Sequence, residues 1–243
     1  MSYILITGSS RGIGAAARKV LEERGPNVIG HSSRSREGAQ DTIAADFANP
    51  LAAQMLWNEA LERSGGEIVA VVNNAGLFEH NSLDSSDIEW LDRWEDTLRI
   101  NLTAAAQLSR FAVRHWLSRE QRQSGERGRL VHIASRAAYR GDSPAHWHYA
   151  AAKGGMIAMH KTIARAYAAQ GILSFAVTPG FTDTSMADDY LQSRGGAGLL
   201  SDIPLGRVAT PEEIASVIAY CTLDAPASMT GAVIDANGAS FVR

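Results

Sequence analysis

Short apolar runs are separated along the whole chain by stretches with helical periodicity. The runs YILIT at 3–7, NVIG at 27–30, DTIAADF at 41–47, IVAVV at 68–72 and LSFAVTPG at 173–180 predict strands, and SMTGAVIDANG at 228–238 predicts a last strand at a sheet edge. IVAVV is apolar throughout, the pattern of a parallel strand covered on both faces. Helices are predicted over AAARKVLEERG (15–25), LAAQMLWNEALERSG (51–65, opened by Asn49 and Pro50), the stretch 94–117, and a long run from Ala150 to Gln170. In the second of these, Leu51, Met55, Leu56 and Leu61 are expected to form the apolar stripe, with Trp57 as packing. Thr210, Pro211 and Glu213 have the order of an N-cap, a first-position proline and a capping-box acid, which predicts a further helix over PEEIASVIAYCTL. The linker between the second and third strands is too short for a full helix, and the hydrophilic stretch SREQRQSGERGR at 118–129 is expected to lie outside the core. No repeat, low-complexity stretch or interdomain linker interrupts the pattern. It predicts an α/β chain in which residues 1–243 form a single domain: a doubly wound parallel sheet with helices on both faces.

The first strand runs directly into GSSRGIG and then into a helix. That context gives Gly8, Gly12 and Gly14 a chemical reading: a tight turn that lets a pyrophosphate approach backbone N–H groups at the positive end of a helix. The spacing is G-x-x-x-G-x-G and departs from the G-x-G-x-x-G fingerprint. After the second strand stands HSSRSR. An acidic residue there would hold a ribose 2′-hydroxyl and repel a 2′-phosphate, whereas Ser32, Ser33, Arg34 and Arg36, joined by Arg11 in the turn, suit a phosphate. NADP (NADPH) is favoured over NAD.

Composition narrows the partners. With 45% hydrophobic and 20% charged residues and a formal net charge of −3, the chain has the make-up of a soluble globular protein and no electrostatic reason to bind nucleic acid or an anionic membrane. No apolar run spans a bilayer, and the one cysteine, Cys221, sits in an apolar setting that predicts a buried thiol. A cytoplasmic location is expected. No His/Cys/Asp grouping has metal-ligand spacing, so no metal is expected.

Tyr149 and Lys153 share one face of the predicted long helix, one turn apart. A phenol has a pKa of about 10, and a fixed positive charge nearby favours the phenolate and lowers that value. The pair is therefore a candidate proton-transfer device, with Lys153 expected to bring the Tyr149 pKa down.

TGSSRGIG, NNAG at 73–76, Asn101 in RINLTAA, Ser135, Tyr149-x-x-x-Lys153, PG at 179–180 and PLGRVATPEEIA occur in an order that resembles the short-chain dehydrogenase/reductase family of single-domain Rossmann oxidoreductases, from about Tyr3 to Gly238. VIG followed by a small polar loop, YAAAKGG, PGFTDT and the terminal NG are most similar to the bacterial 3-oxoacyl-acyl-carrier-protein reductases. The resemblance implies that Tyr149 is the general acid or base, that Lys153 lowers its pKa and holds the nicotinamide ribose, that Ser135 orients the substrate carbonyl, and that Asn101, within a helix, holds a water linking Lys153 to solvent. It implies cofactor contacts from Gly8, Ser10, Arg11, Gly12, Ile13 and Gly14 in the turn and from Ser32, Ser33 and Arg34 after the second strand. Further contacts are implied for Asp46 and Phe47 at the adenine, for Asn74, Ala75 and Gly76 at the fourth strand's end, and for Tyr149, Lys153, Pro179, Gly180, Thr182 and Thr184. A substrate lid over about 181–204, including Phe181, Met186, Tyr190 and Leu191, and a homotetramer or homodimer through the Asn101 and Tyr149 helices also follow from the resemblance.

The segment RAAYRGDSPAHWH before Tyr149 is bulky where relatives are smaller, so His146, Trp147 and His148 either line a substrate pocket or pack the helix start; His148 is not read as catalytic. Phe175 stands where many relatives carry asparagine. The expected activity is reduction of a small-molecule ketone by NADPH, with a 3-oxoacyl thioester as leading substrate. The alternatives are an alcohol, sugar or steroid dehydrogenase working oxidatively, and a non-catalytic NADP-binding sensor or docking module, which the complete set of Asn101, Ser135, Tyr149 and Lys153 argues against.

Overall fold

In a computed structural model, residues 2–35, 41–119, 125–184 and 200–243 are described. Seven parallel strands form one sheet in the order β3-β2-β1-β4-β5-β6-β7. They are β1 (Tyr3–Ile6), β2 (Asn27–Ser32), β3 (Thr42–Ala44), β4 (Ile68–Asn73), β5 (Gly128–Ile133), β6 (Ile172–Pro179) and β7 (Val233–Ala236). The chain starts in the middle of the sheet, winds outward to β3, then crosses to the other side of β1 for β4. That reversal leaves a crevice beyond the carboxyl ends of β1 and β4, where open α/β sheets bind ligands.

The helices cover both faces. On one side α1 (Gly12–Glu23) packs with α7 (Pro211–Ala219), burying Ala17, Leu21, Ile214, Ala215 and Ile218 against Ile4, Ile6, Val72, Val131 and Phe175. On the other, α2 (Ala52–Arg63), α4 (Ala104–Leu117) and α6 (Trp147–Tyr167) bury Leu56, Trp57, Leu108, Trp116 and Met156 against the opposite strand faces. β4 is buried along nearly its whole length, as its apolar run from Ile68 to Val72 requires, and β6 is buried throughout, including Ser174 and Thr178. Phe175 is fully buried in the first of these cores with the Arg129 guanidinium 5.9 Å from its ring centre, and Cys221 is buried there too. α3 (Asp87–Leu98) precedes α4, and α5 (Ala137–Arg140) is a single turn before α6. Among the described residues no helix is long and apolar enough to cross a membrane.

Local chemistry sets the helix starts. Thr210 Oγ1 accepts from the Glu213 N–H at 3.2 Å while Glu213 Oε2 accepts from the Thr210 N–H at 2.8 Å, the expected capping box. Asn49 Oδ1 accepts from the Leu51 N–H at 3.0 Å and opens α2 as expected. The stripe expected on α2 is not the one it buries. Leu51 and Met55 are each 62% exposed, and Ala52, Ala53, Leu56, Trp57 and Ala60 face the core. One residue is a rotation of about 100° on a helix, and three of the five residues α2 turns to the core are alanines, which a search for large apolar side chains overlooks. β2 extends two residues past the expected end, to Ser32, and β3 is three residues instead of seven. The hydrophilic stretch at 118–129 is not wholly outside the core: Gly128 and Arg129 begin β5, Gly128 is buried, and Arg127 Nη1 donates to Trp116 O at 3.2 Å; residues 120–124 lie outside the described residues.

Gly128 faces the buried indole of Trp116, whose Nε1 donates to Ile68 O at 2.7 Å, and a Cβ on Gly128 would lie 2.2 Å from Trp116 Cε2. Gly128→Ala is expected to lower the urea midpoint by the equivalent of about 1–3 kcal/mol, the usual cost of overpacking. An unchanged midpoint would show that the indole is not fixed there.

Candidate active site

The β1–α1 turn is braced from three sides. Thr7 Oγ1 accepts from the N–H groups of Asn74 at 3.0 Å and Ala75 at 2.9 Å, and Asn74 Nδ2 donates to Thr7 O at 2.9 Å and Gly8 O at 3.1 Å. The NNAG segment at the end of β4 is therefore stitched to the glycine turn, and the Asn74 amide is spent on that stitch. Gly8 has φ +64° and its Cα lies so close to Ala75 that a Cβ would fall 2.8 Å from Ala75 Cα; at Gly14 a Cβ would fall 2.1 Å from Gly8 O. α1 begins at Gly12 with no side-chain cap from Arg11 and no acidic residue in its first turn. Among the described residues no side-chain cap or first-turn acid neutralises its leading N–H groups, and the helix's positive end faces the crevice.

The crevice is a cleft of about 420 Å³ that gathers every residue expected to contact cofactor: Gly8, Ser10, Arg11, Gly12, Ile13, Gly14, Ser32, Ser33, Arg34, Asp46, Phe47, Asn74, Ala75, Gly76, Tyr149, Lys153, Pro179, Gly180, Thr182 and Thr184. Ser135 lines it too, while Asn101 lies fully buried behind it. Thr184 sits over the turn, 3.1 Å from where a Gly12 Cβ would be. Arg11, Ser33 and Arg34 are exposed at the mouth, whereas Ser32 is buried and donates from Oγ to Arg34 O at 2.7 Å, shaping the loop. Arg36, and Met186, Tyr190 and Leu191 of the expected lid, lie outside the described residues. Glycines that exclude any Cβ, uncapped N–H groups and basic side chains with no carboxylate among 31–35 fit a dinucleotide carrying an extra phosphate.

At the inner end of the cleft, Ser135 follows β5 and Tyr149 and Lys153 stand on the first turns of α6. Ser135 Oγ accepts from the Ala137 N–H at 3.1 Å and lies near enough to the Tyr149 phenol to act against the rise in its pKa. Lys153 is 4% exposed, and its Nζ donates to Ile133 O at 2.7 Å and lies 5.7 Å from the centre of the Tyr149 ring. The expectation that Lys153 lowers the Tyr149 pKa does not hold in this state. Although Tyr149 lines an open cleft and is only partly buried as a residue, the protein around its phenol raises the pKa to about 12, against the opposing Ser135 hydroxyl. Burial likewise lowers the Lys153 pKa to about 8. Burial is the largest influence on the phenol, and the Asp142 charge adds to the rise.

Asn101 is not in a regular helix. It lies in a π-helical turn, Arg99–Thr103, between α3 and α4, a distortion frequent at functional sites. Its Oδ1 accepts from the Leu77 N–H and its Nδ2 donates to Leu77 O, each at 2.8 Å. The side chain therefore clamps the segment after NNAG, and any water it holds falls to its remaining polar atoms. Gly76 is within reach of both residues: a Cβ there would lie 3.2 Å from Asn101 Oδ1 and 3.6 Å from Lys153 Nζ.

Several cleft residues carried no signal readable in sequence. Phe78 stacks on His146 at 4.0 Å and meets Tyr149 edge-on at 4.8 Å, forming an aromatic wall beside the phenol. Of the histidines before Tyr149, His146 thus stands at the pocket, while His148 is buried in the first turn of α6 and Trp147 is 53% exposed. Arg136 lies over Phe181 at 4.6 Å, and both line the cleft. His31, from β2, bonds the glycine turn directly, with Gly8 N–H donating to its Nδ1 at 3.0 Å. Phe78, Arg136 and His31 are revealed only by juxtaposition of distant segments, whereas His146 and Phe181 were pocket or lid candidates in the sequence.

Because folding lowers the Lys153 pKa, the charged form is the one the fold disfavours; the cost is fully present below about pH 8 and fades as pH rises above it. Lys153→Met is therefore expected to raise the Tm of the ligand-free protein at neutral pH by a few degrees, on the order of 1 kcal/mol for a chain of this size, with the gain shrinking in alkali, while turnover is lost. A lowered Tm at neutral pH would contradict the desolvation account.

Comparison with known proteins agrees with this architecture. Residues 8–238 match the family model described as enoyl-(acyl carrier protein) reductase. The chain is 32% identical over 248 residues to the 3-oxoacyl-[acyl-carrier-protein] reductase FabG of Vibrio cholerae and 33% identical to that of Escherichia coli K12, each alignment covering 98% of this chain and 96% of the relative. Among solved structures, it superposes with TM-score 0.82 at 27% identity on an Agrobacterium tumefaciens protein assigned as a 2-deoxy-d-gluconate 3-dehydrogenase with bound NADP. A Beutenbergia cavernae protein assigned as an NAD(P)-dependent gluconate 5-dehydrogenase, with NADP at low occupancy, superposes with TM-score 0.85 at 26% identity; both cover 98% of this chain and 95% of the other. With a braced glycine turn at one end of the cleft and the Ser135–Tyr149–Lys153 cluster at the other, the chain belongs to the short-chain dehydrogenase/reductase family of oxidoreductases.

Proposed function

We propose that this protein is an NADPH-dependent carbonyl reductase, a single nucleotide-binding domain whose leading substrate is a 3-oxoacyl thioester. The observation that carries the reading is that one cleft joins the phosphate-cradling turn to two hydroxyl groups, Ser135 and Tyr149, that line its inner end together with Lys153. The bound nicotinamide supplies the hydride. A carbonyl that accepts it becomes an alkoxide, and the two hydroxyls are placed to hydrogen-bond the developing charge. Ser135, with its Oγ fixed by the Ala137 N–H, orients the oxygen; Tyr149, a phenol at neutral pH, delivers the proton. The phenolate left behind gains from the Lys153 ammonium on the same helix face. Arg11, Ser33 and Arg34 at the mouth favour NADPH over NADH.

The curated relatives at 32–33% identity support the thioester substrate. The assigned names of the structural neighbours favour a second reading, oxidation of a sugar acid's hydroxyl in the same site with the proton moving toward Tyr149. A cytoplasmic enzyme forming a homotetramer or homodimer through the α4 and α6 faces completes the proposal; apolar side chains left exposed beside α6, among them Ile88, Leu91 and Trp147, support such burial.

Oxidation of NADPH or NADH by acetoacetyl and crotonyl thioesters, and reduction of NADP⁺ or NAD⁺ by gluconate-type substrates, separate the readings. We expect turnover of the acetoacetyl thioester with NADPH, and loss of at least ~100-fold in kcat for Tyr149→Phe, in line with removal of a general acid, with NADPH binding retained. Activity confined to the sugar acid would replace the substrate and keep the tyrosine mechanism; undiminished turnover by Tyr149→Phe would remove the mechanism.

A further inference from the structure

We propose that His31 is a positioning residue for the cofactor: its neutral Nε2–H tautomer holds the glycine turn in the shape that binds NADP, so that protonating this imidazole weakens binding. The proposal rests on the NADP reading above. His31 is 2% exposed near the carboxyl end of β2, and its ring joins three segments. Nδ1 lies 3.0 Å from the Gly8 nitrogen and Nε2 lies 2.7 Å from Ala45 O. A backbone N–H can only donate and a carbonyl can only accept. Nδ1 must therefore be bare and Nε2 must carry the hydrogen, which fixes both tautomer and charge.

The ring is also stacked on Phe47, with centroids 4.4 Å apart and planes 15° apart, and His31's own backbone N–H donates to Ser9 Oγ at 3.0 Å while Ser9 N–H donates to His31 O at 2.9 Å. The imidazole thus links the β1–α1 turn, the end of β2 and the segment after β3, the three stretches that bound the nucleotide half of the cleft. A proton on Nδ1 would set two donors against each other at Gly8. The stacked ring has no second orientation that serves both backbone partners, so the turn must shift. Gly8 tolerates little shift, since it already touches Ala75 and its carbonyl is held by Asn74.

The bond to Ala45 O and the charge of Asp46, after β3, favour protonation; Arg18 of α1 reaches Thr42 Oγ1 at 2.7 Å, and Arg11 and Arg34 are exposed at the cleft mouth. Burial is the largest influence and lowers the His31 pKa, so the tie is intact at neutral pH and is lost as pH falls through a value below the usual ~6.5.

The test is calorimetric titration of the full-length protein with NADP⁺ from about pH 8 to about pH 5.5, spanning the ordinary imidazole range. Wild type is compared with His31→Asn, whose amide oxygen can still accept from Gly8 and which cannot titrate. The 2′-phosphate gains a proton near pH 6 and contributes equally to both proteins, so the ratio of their Kd values isolates the imidazole. We expect the wild-type to variant ratio to rise roughly tenfold on acidification, as for loss of one backbone hydrogen bond in a packed site. His31→Phe, which keeps the ring stack and loses both bonds, is expected to bind weakly at every pH. A flat ratio, or tighter wild-type binding in acid through attraction of His31⁺ for phosphate, overturns the proposal while leaving the NADP reading standing; no NADP⁺ binding by wild type at any pH removes both. Nitrogen NMR of the ligand-free protein provides an independent decision: the Nε2–H form at neutral pH supports the role, and an Nδ1–H form overturns it even if a variant fails to fold.

Discussion

Everything at the reacting end of the cleft depends on burying an amine. Lys153 reaches from the second turn of α6 to the carbonyl of Ile133 at the end of β5, and that single 2.7 Å bond ties the catalytic helix to the strand that presents Ser135. The cost is a charge held out of water without a carboxylate to neutralise it, visible in a lysine pKa lowered to about 8. Proteins of ordinary stability retain such a cost where the site needs it. Around the lysine, Gly76 and Asn101 leave just enough room: the glycine has no side chain to intrude and the asparagine is occupied with Leu77. The π-helical turn that carries Asn101 is the local distortion that places it there.

The nucleotide end obeys a different constraint, satisfaction of backbone groups in a turn that has no secondary structure to satisfy them. Thr7 and Asn74 take the polar groups of Gly8, Asn74 and Ala75 from one side, and His31 takes the Gly8 N–H from the other. What remains open is the start of α1, whose N–H groups face the cleft. The two ends share one sheet, so the rigid strands β1, β4 and β5 set the distance between phosphate cradle and proton donor.

The parts of this design that repeat along the chain were legible in sequence. YILI, IVAVV and LSFAVTP declared buried parallel strands because both faces of each needed apolar cover, and the Thr210 cap declared α7 because its chemistry is local. The glycine turn and the Tyr149–Lys153 spacing were likewise short-range signals. Where reading failed, the missing information was three-dimensional. Leu51 and Met55 look like core side chains until the helix is rotated by one residue to turn Ala52, Ala53 and Ala60 inward. The pKa of Tyr149 cannot be inferred from its spacing to Lys153, since the direction of shift depends on how much protein surrounds the phenol and which charges lie near it. His31, Phe78 and Arg136 belong to the site only through contacts with distant segments, and nothing in their immediate neighbours distinguishes them from packing residues.

The central claim is that the cleft holds Tyr149 as a phenol ready to give up its proton, and that positive charge brought to the site favours the phenolate. The most direct measurement is an ultraviolet difference titration of the phenol, wild type minus Tyr149→Phe, without and with saturating NADP⁺. The account predicts that Tyr149 in the free protein stays protonated well beyond the ordinary ~10 of a tyrosine, and that NADP⁺, whose oxidised ring is cationic, draws the pKa toward neutrality. A Tyr149 that titrates normally in the free protein, or whose pKa is unmoved by bound NADP⁺, would contradict it.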